Sequence, residues 1–168
     1  MKLIRPSRKY EASWKEALRE FDEENVTGFW NYPDRPSDID SYIRGDADNS
    51  RGRNLVEGWV PSTTFWLIDR GMFIGHVNIR HELNLKLKEH GGHIGYAIRP
   101  TQRRKGYGNK ILGLVLPEVK KLGIRTASIM CEDSNIGSRR IIENNGGALQ
   151  EIVTHDDKII RKYLIEIR

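Results

Sequence analysis

Cysteine is almost missing from this chain: among 168 residues only Cys131 carries a thiol. An intramolecular disulfide framework is therefore excluded, as is a zinc site built on several thiolates. No apolar run approaches the roughly 18–20 residues that a membrane-spanning helix needs. Residues 1–10 are too polar for the hydrophobic region of a secretory signal. The sequence also contains no Gly-Lys-Ser or Gly-Lys-Thr, which rules out a Walker-type nucleotide loop. With 38% hydrophobic and 30% charged residues the composition is neither disordered nor collagen-like. A chain of this length fits one domain, 1–168, that buries about two-thirds of its unfolded surface without covalent staples. The expectation is a reduced, cytoplasmic protein with no membrane partner and no metal.

Basic residues outnumber acidic ones by 28 to 23, a formal charge of +5. Such an excess favours anionic partners in general, and its distribution says more than its sum. Between positions 99 and 110 stand Arg99, Arg103, Arg104, Lys105 and Lys110 with no acid among them. Between positions 34 and 48 stand Asp34, Asp38, Asp40, Asp46 and Asp48, opposed only by Arg35 and Arg44. The second group suits a cationic amine and equally suits a solvated loop.

Periodicity divides the chain as follows. Residues 2–5 read as a short strand, and Trp14, Ala17, Leu18 and Phe21 mark a helix over 10–25. Ser37 is placed to cap a short helix running through Ile43, inside an irregular segment broken by glycine and proline. Residues 63–69 and 72–80 form a hairpin about Asp69-Arg70-Gly71. A polar excursion over 83–90 precedes a strand over 93–99. The stripe Ile111, Leu112, Val115, Leu116 and Val119 then announces a helix, which Pro117 should kink or interrupt. A strand over 127–131, a helix over 135–144 closed by Asn145-Gly146-Gly147, and strands over 149–154 and 159–168 complete the order. The fold class is α/β (α+β), a mixed sheet with helices on its faces. The strands over 93–99 and 127–131, joined by a helix, are expected to lie parallel.

The most informative stretch is Arg103-Arg104-Lys105-Gly106-Tyr107-Gly108-Asn109, between a strand and a helix. The first amides of a helix have no internal partner, and the aligned peptide dipoles place partial positive charge there. A glycine lets an anion approach the backbone, and neighbouring Arg and Lys add full charge, so the stretch is suited to a phosphate or diphosphate. It is equally consistent with a tight strand-to-helix turn. A dinucleotide fingerprint is excluded, since Ile111 stands where its third glycine belongs.

This stretch resembles the Arg/Gln-x-x-Gly-x-Gly/Ala motif of the GNAT superfamily of acyl-CoA-dependent N-acyltransferases. Gly95-Tyr96-Ala97-Ile98-Arg99-Pro100 looks like that family's central strand with its terminal proline. Asn135 resembles the asparagine that opens its next helix, and Gly146, eleven residues on, resembles the glycine that closes it. The resemblance implies a mostly antiparallel sheet of about six to seven strands, with a splayed parallel pair at the cofactor site. It implies acetyl-CoA as co-substrate and an amine acceptor. The backbone of Tyr96, Ala97 and Ile98 would pair with the pantetheine arm, and amides from Arg104 through Lys105, Gly106, Tyr107, Gly108 and Asn109 would hold the diphosphate. Arg103, Arg104 and Lys105 would lie near the phosphates or adenosine, and Asn135 and Ser138 along the arm.

Acyl transfer from a thioester to an amine needs a proton acceptor for the amine, donors for the developing oxyanion, and alignment of the two substrates. The leaving thiolate has a reference pKa of about 8.5, so protonating it helps without being compulsory. Many relatives carry a tyrosine seven residues after the motif asparagine for this purpose, and here that position is Ile142. Ser138 and Tyr107 are the substitutes offered by the sequence, though Ser138 also suits simple packing. His93 and Glu82 are the candidates for proton acceptor. Each has a bland counterpart: a structural histidine, and a charge on a solvent-facing strand edge. His76, Asn78, Arg80 and Glu82 alternate with Val77, Ile79, His81 and Leu83 and give their strand one polar face. Cys131 reads as a small core residue, and Trp30, Tyr32 and Trp59 as pocket floor or core.

The leading reading is an acetyl-CoA-dependent N-acetyltransferase acting on a primary amine by direct attack in a ternary complex. The alternatives are a catalytically silent acyl-CoA-binding regulator and a basic nucleic-acid-binding module. The second fits the charge but not the glycines, so no nucleic-acid partner is expected. A homodimer is compatible with the sequence.

Overall fold

The computed structural model describes residues 1–24 and 38–168. Trp30, Tyr32, Asp34 and the expected cap Ser37 lie outside the described residues. Strand β1 (Lys2–Ile4) leads through a 3-10 turn to helix α1 (Glu11–Glu23), and α2 (Ile39–Ser50) follows. Strands β2 (Ser62–Asp69) and β3 (Met72–Arg80) form the expected hairpin. They are followed by the short helix α3 (Leu85–Glu89) and by β4 (Ile94–Ile98). The second half runs α4 (Tyr107–Lys121), β5 (Thr126–Glu132), α5 (Ile136–Asn144), β6 (Gly147–His155) and β7 (Lys158–Glu166).

The architecture is mixed α/β, with antiparallel sheets flanked by helices. One sheet has the order β1-β2-β3-β4 and the other β5-β7-β6, and every ladder within them is antiparallel. The strands β4 and β5, expected to pair in parallel, lie in separate sheets and share no ladder. Their segments are hydrogen-bonded just ahead of β4, where the His93 amide donates to Ser128 O at 2.7 Å and the Ser128 amide donates to His93 Nδ1 at 3.0 Å. Gly92 makes that approach feasible: its φ is +72°, and a Cβ there would stand 2.6 Å from Ser128 O.

Alternation along β2 and β3 sends side chains into two apolar clusters on opposite faces. On one face, Trp66 stacks on both Trp14 of α1 and Tyr42 of α2, with centroids 5.8 Å apart in each case, and meets Phe73 edge-on at 5.1 Å. On the other, Val77, Ile79, Ile94 and Ile98 pack against Ile111, Leu112, Val115 and Val119 of α4. Strand β3 is therefore covered on both sides, and the polar row His76 and Asn78 is buried rather than solvent-facing.

Several local expectations shift. Helix α2 is capped by Asp38, whose carboxylate accepts the Ser41 amide at 2.8 Å, and it continues past Gly45 to Ser50. It is held because Ile39, Tyr42, Asp46 and Asn49 fall on one buried face. The polar excursion contains a helical turn capped by Asn84, which accepts the Leu87 amide at 2.9 Å. Pro117 neither interrupts nor ends α4. Its ring and the Gly113 carbonyl it frees both lie on the exposed side of the helix, where water can serve that carbonyl. Gly146 closes α5 with φ +86°, as expected.

The described acids of the second charged group are occupied within the fold. Asp46, 3% exposed, accepts from Arg5 Nη2 at 2.5 Å and from the Thr64 amide at 3.0 Å. Asp40 pairs with Arg8, and Asp48 accepts from Asn54. Asp46→Ala strands a buried backbone donor. Urea denaturation should show a loss of about 1–3 kcal/mol, with Asp46→Asn, which keeps an acceptor for Thr64, losing less.

Candidate active site

Pro100 opens a 3-10 turn directly after β4, and the chain then turns into α4 through residues with left-handed backbone, Arg104 at φ +59° and Gly106 at φ +80°. The first intrahelical bond of α4 runs from the Lys110 amide to Gly106 O. Amides 107, 108 and 109 therefore have no partner within the helix. A Cβ on Gly106 would meet nothing within 4 Å, so this backbone faces open space that a ligand can occupy. Gly108 has a different cause: a Cβ there would stand 2.3 Å from Ile141 Cδ1, so its absence lets α4 and α5 pack closely.

A cleft of about 720 Å³ lies where β4 parts from β5. Its walls are Tyr96, Ala97 and Ile98 of β4, then Arg103, Arg104 and Gly106 of the loop. Gly108 and Asn109 of α4 close one end, and Asn135 and Ser138 at the start of α5 close the other. The structure thus gathers these expected residues around one cavity. Two expected members turn away. Lys105 Nζ folds back to donate to Thr101 O at 2.8 Å, and the Tyr107 hydroxyl donates to Asp69 at 2.8 Å. Tyr107 therefore offers the cleft its amide and no acid.

The basic group also divides. Arg99 is 7% exposed and locked onto α1, donating to Glu20 at 2.7 Å and Glu16 at 3.2 Å. Arg103 donates to Glu24 at 2.6 Å and to Ile98 O at 3.1 Å. Arg104 faces the cleft, joined from α5 by Arg140, which sequence reasoning missed along with Gln102, Gly137, Ile141 and Asn144. The signal for the α5 residues was present: Gly137, Arg140, Ile141 and Asn144 fall at helical i, i+3, i+4 and i+7 spacing on one face.

Asn135 caps α5, its Oδ1 accepting the Ser138 amide at 2.9 Å. Ser138 Oγ lies 2.8 Å from the Tyr96 hydroxyl. Burial pushes the Tyr96 phenol up to about 12, against the opposing pull of the Ser138 hydrogen bond, so it keeps its proton at neutral pH. A protonated phenol and a serine hydroxyl thus meet on the cleft wall, one from β4 and the other from α5. Ile142, the position at which the resemblance led us to expect a tyrosine, is fully buried in the core.

The candidate proton acceptors are placed differently. His93 uses Nδ1 to accept the Ser128 amide, so its neutral form carries the proton on Nε2 and has no free lone pair. Burial, and then the Arg80 charge, hold its pKa below the ordinary histidine value. It pins the two sheets together. Glu82 is exposed beyond the end of β3 and does not line the cleft. Cys131 is half-buried against the core, as expected, and burial raises its thiol pKa. Among the described residues no group of His, Cys, Asp and Glu could hold a metal ion, and no helix is long and apolar enough to cross a membrane.

A strand edge without a ladder partner, beside a helix amino terminus that faces a cleft, suits an extended ligand with an anionic group. The chain belongs to the GNAT acetyltransferase domain family, whose model matches residues 3–148, and is thus an acyltransferase. By sequence, no curated protein matches it. Solved structures that share its fold include the microcin C7 self-immunity acetyltransferase MccE in complex with acetyl-CoA and AMP. That match has 15% identity and a TM-score of 0.71, covering 98% of this chain and 91% of that one. Another is the ribosomal L7/L12 alpha-N-protein acetyltransferase RimL in complex with coenzyme A, at 13% identity, TM-score 0.70, and coverage of 99% and 95%. A third is the spermidine N-acetyltransferase SpeG of Vibrio cholerae, at 13% identity, TM-score 0.68, and coverage of 99% and 95%. At these identities they establish the fold.

The Arg99–Glu20 contact fixes the loop ahead of the cleft and carries a pH signature. Burial raises the Glu20 pKa, but hydrogen bonds from Arg99 and Thr101 and the Arg99 charge outweigh it and leave the pKa below the ordinary value. Because the folded pKa is depressed, this stabilisation is complete above the unfolded value of about 4.3 and is lost as pH falls towards the folded one. Unfolding free energies measured from neutral to acidic pH should fall less steeply in Glu20→Gln than in the wild type.

Proposed function

We propose that the chain, acting as one catalytic domain over 1–168, transfers an acetyl group from acetyl-CoA to a primary amine by direct attack within a ternary complex. The observation that carries this reading is the cleft between β4 and α5, floored by the unpartnered amides of the first α4 turn and flanked by Arg104 and Arg140. The residues present fit such a co-substrate. Gly106 leaves space for a diphosphate against the backbone, the amides and helix dipole supply donors, and two guanidiniums supply charge. The free edge of β4 offers Tyr96, Ala97 and Ile98 as a strand-like partner for an extended arm. When bound, acetyl-CoA supplies the activated thioester carbonyl.

Every other part of the reaction falls to the protein. Holding donor and acceptor on either side of β4 supplies alignment, which carries much of the acceleration in a reaction with a competent leaving group. The Tyr96 hydroxyl, kept protonated and backed by Ser138, donates to the departing sulfur in place of the tyrosine that Ile142 displaces. Because His93 is engaged by Ser128, the amine proton leaves through solvent or through acceptor-side groups. The amine acceptors that RimL and SpeG are named for support an amine as the nucleophile here.

Gly106→Glu places a carboxylate in the cradle and forces a side chain onto a left-handed residue. Calorimetric titration should show acetyl-CoA affinity lost in a protein that still unfolds cooperatively. Wild-type affinity in that folded variant overturns the cradle. Tyr96→Phe should keep acetyl-CoA affinity while kcat falls by roughly 10²-fold, the low end for general acid catalysis, since the thiolate is already a fair leaving group. An unchanged kcat removes Tyr96 as the acid. Tight acetyl-CoA binding with no turnover on any amine would instead identify a binding regulator.

A further inference from the structure

On the opposite side of β4 from α5, a second cavity of about 340 Å³ is lined by Trp59, Ser62, Asn78 and Arg80, with Glu57 and Lys86 towards its mouth. Its deepest charge is a cation without a counterion. Arg80 donates from Nη1 to Gly92 O at 2.9 Å, yet among the described residues it has no carboxylate partner. Burial holds the Arg80 pKa below its ordinary value, with no acid acting in the other direction. A half-buried guanidinium without a counterion is costly, and a bidentate carboxylate is the group its planar fork fits best.

An independent observation comes from the same wall. Asn78 is 2% exposed, its Nδ2 donates to Thr64 Oγ1 at 3.1 Å, and its Oδ1 has no donor. The cavity therefore presents an unmatched cation and an unmatched acceptor side by side, two residues apart on one face of β3. It also lies next to the proposed chemistry. Asn78 pairs in register with Gly95, and the Arg80 Nη atoms stand 3.9 Å from where a Gly95 Cβ would be, one residue before the Tyr96 wall of the first cleft. Of the acids that would draw a polycation, Asp38 caps α2 and Asp40, Asp46 and Asp48 are paired, which leaves Glu57 at the mouth facing the deeper Arg80.

We infer that this cavity receives the acceptor and that the acceptor is an amine bearing a carboxylate close to its amino group, with Arg80 pairing the carboxylate and Asn78 Oδ1 accepting an N–H. The inference rests on the acetyl-transfer reading and adds the substrate class. The carboxylate has two sources, the α-carboxylate of a free amino acid or an acidic side chain on the first residue of a peptide. Arg80 is a specificity-determining residue, so its removal should act on KM more than on kcat.

The test compares matched pairs with acetyl-CoA: glycine against glycinamide, and Asp-Ala-amide against Asn-Ala-amide, with spermidine as the opposite charge. Wild-type kcat/KM should favour the acid of at least one pair by tenfold or more. Which pair responds identifies the source. In R80Q the preference should collapse towards unity through KM, and R80K should retain part of it. As a readout apart from turnover, calorimetry on the coenzyme A complex should show N-acetylglycine binding more tightly than N-acetylglycinamide if the first pair responds, or N-acetyl-Asp-Ala-amide more tightly than its Asn counterpart if the second does. Equal rates within both pairs, spermidine as the best acceptor, or a preference unchanged in R80Q overturns the inference while leaving acetyl transfer intact. Absence of acetyl-CoA binding overturns the reading beneath it as well.

Discussion

Two neighbouring strands that are pinned together at one end and never paired thereafter create the site. The pin is small: one backbone hydrogen bond and one imidazole nitrogen join His93 to Ser128, made accessible by the missing side chain at Gly92. Beyond it β4 keeps a free edge. Unpaired strand edges are ordinarily a liability, because their donors and acceptors invite pairing with any extended chain. Here the liability is confined to a cleft, where an extended ligand arm is what the edge can accept.

The same geometry sorts the basic residues into those that build the site and those that face it. Arg99 and Arg103 spend their charge on Glu20, Glu16 and Glu24 of the first helix and its end, which anchors the loop. Arg104 and Arg140 line the cleft. A run of positive charge that looks uniform in sequence is therefore mixed: Arg99 and Lys105 are engaged within the scaffold, Arg103 is paired while it lines the cleft, and Arg104 faces it. The acids sort likewise, with Asp46 acting as the buried link between Arg5 and the backbone of β2.

The contacts behind the proposed chemistry were less legible than the residues that line the cleft. Ser138 is in the cleft, but its significance depends on Tyr96, which was expected to contribute only its backbone. The pairing joins residues 42 positions apart, from a strand and a helix in different layers, and no local pattern announces it. His93 was visible as a titratable group on the right strand, and a backbone amide 35 positions later gives it a structural duty. Glu82 followed the period of β3, but the strand ends at Arg80, before the period could carry it inward. The polar face of β3 was legible as a pattern, and its burial under the first two helices was not.

By itself the sequence determined the order of elements apart from the short α3, the glycine-bearing turn and the helix that follows it, because these rest on local forces: hydrophobic period, helix capping and the backbone freedom of glycine. It also determined the family, through two motifs whose spacing is set by one strand–turn–helix unit each. Only the tertiary structure decided which charges pair, which polar residues are buried without partners, and which hydroxyl meets which across the cleft. Those are contacts between segments distant in the chain, and their energies depend on burial and mutual geometry that no single segment contains.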